Sequence, residues 1–227
     1  MNDKINLLDH GFIRLIDHMG SDLSVVRAAR VSYDAAWRAG EDEDKDNRLL
    51  KYLWKNKHTT PFEAVTFTFE VKAPIFVFRQ WHRHRTFSYN ELSARYRELP
   101  EEFYIPKSSD IGVQDKDSKQ TRVLPTEPVT LDEQRILECN DLKLHCELSF
   151  LLYKRLLRKG WPRELARMVL PLSTYSHMFC TANLLNLFRF LTLRTESHAQ
   201  YEIRIYAEAM KQLMTPIVPV CMEAFNG

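Results

Sequence analysis

Between Val65 and Lys72 apolar and polar residues alternate without a break, Val65, Phe67, Phe69 and Val71 against Thr66, Thr68, Glu70 and Lys72. A period of two sends successive side chains to opposite faces of a strand, so the segment predicts a half-buried strand that the rest of the chain must cover. Phe12 to Ile16 alternates more weakly and stops at Gly20, after which Asp22 can cap a helix through Val25, Val26 and Ala29. The acidic run Glu41 to Asp46 reads as the solvated start of a helix carrying Leu49, Leu50, Leu53 and Trp54. Pro74 suits the first turn of a helix with Ile75, Phe76, Phe78 and Arg79.

Further on, Leu131 to Lys159 is a long helical pattern with Ile136, Cys139, Leu142, Cys146, Leu148 and Leu152 near one face, closed by Gly160. Pro162 restarts a helix through Leu165 and Val169, Tyr175 to Thr181 suits a strand, and Asn183 to Leu193 reads as helix. Ile203, Tyr206, Ala207, Met210 and Met214 mark the last helix. The polar, aperiodic stretch from Ser108 to Val129 is expected to be a surface loop. Few strands and many helices predict a mixed α/β chain, α+β in its segregation.

The 227 residues suit a single domain spanning 1–227, large enough to bury its core without disulfides. Lysine and arginine (32) nearly balance aspartate and glutamate (30), so any anion site must be local. Cys139, Cys146, Cys180 and Cys221 form no CxxC pair, and the first residues lack a cationic stretch followed by an apolar one, which predicts a reduced, cytoplasmic protein. No run of 18 apolar residues offers a membrane span. With six glycines and no GxGxxG or Walker loop, a nucleotide would be held without a glycine-rich cradle or Rossmann loop.

Against that neutral background, five arginines and two histidines crowd the 19 residues from Arg79 to Arg97. Arginine forks match phosphate oxygens, Ser88, Ser93 and Asn90 add short donors, and Trp81, Phe87, Tyr89 and Tyr96 offer faces on which a base can stack. The alternatives are an ordinary basic stripe laced with ion pairs, or a basic-aromatic nucleic-acid-binding module. His82 and His84, two apart, would share one face of a strand as metal ligands do, but no third ligand stands at a matching distance, so no residue is assigned to a metal. Glu164 and Arg167 read as an i, i+3 pair on a helix. The polar break from Leu193 to Glu202 separates two apolar helices and can expose side chains to a ligand.

Arg83 to Tyr96 spells RHRxxSxNxxSxRY, and within it RHR-x7-S ends at Ser93. This resembles the signature of the flavin-dependent thymidylate synthases (ThyX). DLSVVRAARVS at 22–32, HTTPFE at 58–63 and LRTESHAQYEI at 193–203 resemble the same family. The resemblance implies a mostly antiparallel sheet flanked by helices, a homotetramer with active sites at subunit interfaces, and FAD as cofactor. It further implies a methyltransferase that converts dUMP to dTMP with 5,10-methylenetetrahydrofolate as one-carbon donor and NADPH as reductant, without metal, membrane or nucleic acid.

Position by position, it assigns Gln80, Trp81, His82, Arg83, Glu91, Leu92, Ser93, Ala94, Arg95, Arg167 and Arg194 to dUMP. Arg194 is expected to be the catalytic cation that polarises the uracil. His58, Thr60, Arg83, His84, Arg85, Glu91, Asn183, Leu184 and Leu185 are expected near FAD, with His58 also facing the folate. Arg189 stands where the family often has asparagine, and is expected to turn towards the flavin side.

Overall fold

A computed structural model describes residues 4–123 and 133–227. A five-stranded sheet runs in the order β1-β2-β3-β7-β4 with every neighbouring pair antiparallel. Its strands are β1 (Lys4–Leu7), β2 (Gly11–Met19), β3 (Thr66–Pro74), β4 (Ser88–Glu91) and β7 (Tyr175–Asn183). The alternating segment is the central strand β3, and its four apolar side chains Val65, Phe67, Phe69 and Val71 are all fully buried. The opposite face is less open than alternation suggests. Glu70 is buried there because Arg14 of β2 donates to it through Nε at 2.6 Å and His177 of β7 lies 2.8 Å from its other oxygen.

Helices α1 (Asp22–Arg30), α2 (Glu43–Lys55), α6 (Leu184–Arg194), α7 (Tyr201–Met214) and α8 (Pro219–Asn226) close the apolar face. Two expectations at α1 and α2 are corrected. Ser21, not Asp22, is the N-cap of α1, and Asp22 instead accepts from the backbone of Val220 (2.8 Å) and Cys221 (3.1 Å), capping α8 from across the molecule. The acidic start of α2 is not wholly solvated either, since Asp46 is buried, paired with Arg30 and bonded to the Gly40 amide at 2.7 Å.

Helix α3 (Ile75–Trp81) follows β3 directly. Helix α4 (Glu133–Arg158) buries Cys146, Phe150 and Tyr153 and leaves Leu142 and Leu148 exposed, so the apolar residues read as one face divide between two. Gly160, at φ +83°, adopts the left-handed conformation expected after that helix. The helix from Pro162 is α5 (Arg163–Ala166) with a 3-10 turn at Arg167–Val169.

The 108–129 segment is more ordered than a plain surface loop as far as Val123. It holds a 3-10 turn at Ser108–Asp110 and a hairpin of β5 (Val113–Gln114) and β6 (Arg122–Val123). Its remainder, with the proposed helix start at Leu131, lies outside the described residues. Among the described residues no helix is long and apolar enough to cross a membrane.

Candidate active site

The basic motif folds as the end of α3, a turn and the edge strand β4. Tyr89 holds that turn closed, for its hydroxyl lies 2.9 Å from the Trp81 carbonyl and 2.8 Å from that of His84. The aromatic residues proposed as a stacking platform are mostly structural. Trp81 is fully buried and stacked on Phe190 at 5.0 Å, Phe87 is buried beside it, and Tyr96 alone of the four is well exposed. Ala94, Leu184 and Leu185 are likewise core residues, so at these positions and at Trp81 only main-chain groups remain for a ligand. His82 and His84 lie in the turn rather than on a strand, and each has its own partner. Among the described residues no three metal-ligating side chains gather.

The turn delivers Gln80 and His84 to Arg194, the last residue of α6. Arg194 donates through Nε to His84 Nε2 at 3.0 Å, through Nη1 to Gln80 Oε1 at 3.3 Å and through Nη2 to the Gln80 carbonyl at 3.1 Å. Partial burial, with the charge of Arg194 adding to it, pushes the His84 imidazole down to about 4. The ring is therefore neutral near pH 7 and can accept at Nε2. All three partners of Arg194 are neutral, and no carboxylate among the described residues pairs with it. Burial and the nearby Arg83 lower its own pKa.

Two further clusters flank this centre. Glu91 accepts from Ser176 at 2.6 Å and lies 3.9 Å from His82, while the Leu92 amide donates to the His177 carbonyl. Beyond it, Ser93 Oγ accepts from the Arg95 amide, and Arg95 pairs with Glu164 at 3.3 Å. Arg167 donates to the Glu164 carbonyl rather than to its carboxylate, so the expected i, i+3 ion pair is replaced by a longer-range one between Glu164 and Arg95.

His58 and Thr60 line a cavity of about 600 Å³ between α1 and α2, with Ala28, Ala29, Leu49 and Leu53 as apolar lining. Ser32, Tyr33 and Tyr52 line it too, and Tyr52 meets the His58 ring edge-on at 5.9 Å. Those three were not singled out from the sequence, where nothing marks them as near His58. The Leu184 amide donates to the Val65 carbonyl, which places the start of α6 beside the 3-10 turn Thr60–Ala64. Asn183 spends its side chain capping that helix, accepting from the Asn186 amide at 2.9 Å. Arg189 is exposed and donates to Asn186 Oδ1 at 3.1 Å.

Comparison with known proteins decides the family. The model of the thymidylate synthase complementing protein family matches residues 14–220. The chain belongs to that family. Flavin-dependent thymidylate synthases of Treponema denticola and Thermotoga neapolitana are each 46% identical to it, over 100% and 98% of this chain and 83% and 94% of their own. Among solved structures, the UMP/dUMP methylase PolB of Streptomyces cacaoi bound to 5-Br dUMP is similar with a TM-score of 0.85 and 37% identity, covering 98% of this chain and 97% of that one. The flavin-dependent thymidylate synthase fold thus carries the antiparallel sheet and flanking helices expected of it.

Proposed function

We propose that the protein makes dTMP from dUMP, with 5,10-methylenetetrahydrofolate as the one-carbon donor and NADPH as the reductant. The observation that carries this reading is the state of Arg194. A guanidinium held by three neutral acceptors keeps its charge for a ligand, and two of its five N–H groups have no partner among the described residues. These donors suit a carbonyl oxygen of a pyrimidinedione, which can accept at two lone pairs. A fixed cation beside that oxygen favours the anionic, enolate-like form of the ring, whose carbon is the nucleophile towards the one-carbon donor, and does so without reorganising.

No enzyme thiol is required for that step. Burial pushes the Cys180 thiol up to about 12, and Cys221 is raised by burial and by Asp22. Arg95, Arg167 and Ser93 would serve the nucleotide phosphate, which would compete with Glu164 for Arg95. Gln80 to Arg83 and Glu91 to Arg95 complete the nucleotide side, with Trp81, Leu92 and Ala94 contributing main chain.

The residues present fit FAD. The cavity beside His58 and Thr60 has the size and the mainly apolar lining of a cofactor site, with polar groups at its rim. Its holders would be His58 and Thr60, the cations Arg83, Arg85 and Arg189, His84 and Glu91, and the start of α6 at Asn183 to Leu185, where the helix dipole favours phosphate. FAD, when bound, supplies the hydride, received from NADPH, that brings the transferred carbon to the methyl level. The proposed assembly is a homotetramer.

An anaerobic assay with FAD, NADPH, dUMP and methylenetetrahydrofolate tests the reading. Arg194→Ala should lose about a hundredfold or more in dTMP formation while keeping its flavin spectrum. Turnover near the parent's would remove Arg194 from the mechanism.

A further inference from the structure

Gln80 reaches Arg194 with an oxygen, yet its amide has an equally sized nitrogen that would turn two donors on the cation. What selects the oxygen lies one layer back. The Gln80 amide nitrogen donates to Gln200 Oε1, and the Gln200 amide nitrogen donates to Glu202 Oε2 at 2.8 Å. Glu202 is 2% exposed on the first turn of α7 and receives Arg122 Nη1 at 3.2 Å and the Tyr104 hydroxyl at 3.4 Å on its other oxygen.

We infer that Glu202 and Gln200 are positioning residues for Arg194, forming a one-way relay that sets which end of the Gln80 amide faces the guanidinium. A carboxylate only accepts, so Gln200 must turn its nitrogen inward and its oxygen outward. Gln80 must then give its nitrogen to Gln200 and its oxygen to Arg194 Nη1. Gln200 is itself pinned, because as the N-cap of α7 its carbonyl accepts from the amides of Ile203 and Arg204. Arg122 sits on the β5–β6 hairpin, so that segment neutralises the charge at the root of the relay. Both residues act on the cation through Gln80, and the inference rests on the role proposed for Arg194.

The test uses three variants of the full-length, FAD-loaded protein. Gln200→Leu leaves Glu202 with Arg122 and Tyr104, so melting temperature and flavin content should stay parental. Its kcat for dTMP should nevertheless fall about tenfold, with the Kd for dUMP measured by calorimetry changing by less than about threefold. Glu202→Gln should fall at least as far. In the exchanged double variant Gln200→Glu/Glu202→Gln the acceptor-only group sits at position 200. The Gln80 amide then keeps its orientation, and kcat should recover to within about threefold of the parent. Exchange has no reason to restore a packing contact.

Parental kcat in Gln200→Leu overturns the relay, as does a folded exchange variant no faster than Glu202→Gln. A parent protein that binds no dUMP overturns the nucleotide reading instead.

Discussion

His84 accepts a hydrogen bond from Arg194 only while its Nε2 carries no proton, which ties the site to pH through one side chain. Its ordinary value is near 6.5, and in the folded chain it is held down to about 4. Between these values the unfolded chain binds the extra proton and the folded chain does not. The stability contributed by neutral His84 is therefore complete above about pH 6.5 and is lost as pH falls through the window towards 4. An NMR titration should give the His84 ring a midpoint near 4, and dUMP affinity should decline in the same window. A midpoint near 6.5 would show that the bond to Arg194 does not hold the ring. At this scale the sequence was most informative where the site is contiguous. Gln80, Arg83, His84, Glu91 and Arg95 share one stretch of chain whose residue types already point to an anion. Gln200 and Glu202 lie within the polar break between two apolar helices, but their use depends on a hydrogen-bond direction set by tertiary contact with Arg122 and Tyr104, which no local pattern encodes.

Among the elements, α2 shows how a patch of charge can be misjudged by its neighbours. Glu43 and Asp44 face water, but Asp46 turns inward to Arg30 of α1 and to the Gly40 amide, with its side chain 7% exposed. Removing one partner of a buried pair leaves the other charge without compensation, at about 3–5 kcal/mol. Arg30→Ala should lower stability to urea by about that amount, because it strands the more buried Asp46, and Asp46→Ala by less, because the Arg30 left behind is the more exposed partner. Equal, near-zero losses in both would mean that the pair is solvated. Strand β3 was legible because one strict period of two reports one buried face. Helix α8 was not legible: eight residues from Pro219 hold too few turns for a period, and its N-terminal amides are capped by Asp22 some two hundred positions earlier. The long helix α4 misled in a different way, since apolar residues on two opposite faces sum to no single stripe.

Among the described residues several large apolar side chains stand exposed, and those on α4 are ordered. Leu137, Leu144, Leu148 and Leu151 are 63%, 54%, 54% and 57% exposed. At about 100° per residue they fall within roughly 60° of one another, opposite the buried Cys146, Phe150 and Tyr153. A helix apolar on both sides is covered on both sides, and within one chain only the inner side is. This arrangement supports the proposed homotetramer, in which a second copy of the chain would lie against the outer stripe. Light scattering should then give a mass about four times the 26.9 kDa of the chain. Glutamate at two adjacent stripe positions, Leu144→Glu with Leu148→Glu, would bury charge in any such contact at a cost of several kcal/mol, so the variant should run as a smaller species with an unchanged far-UV spectrum. If it keeps the parental mass, the outer face of α4 is not where the subunits meet.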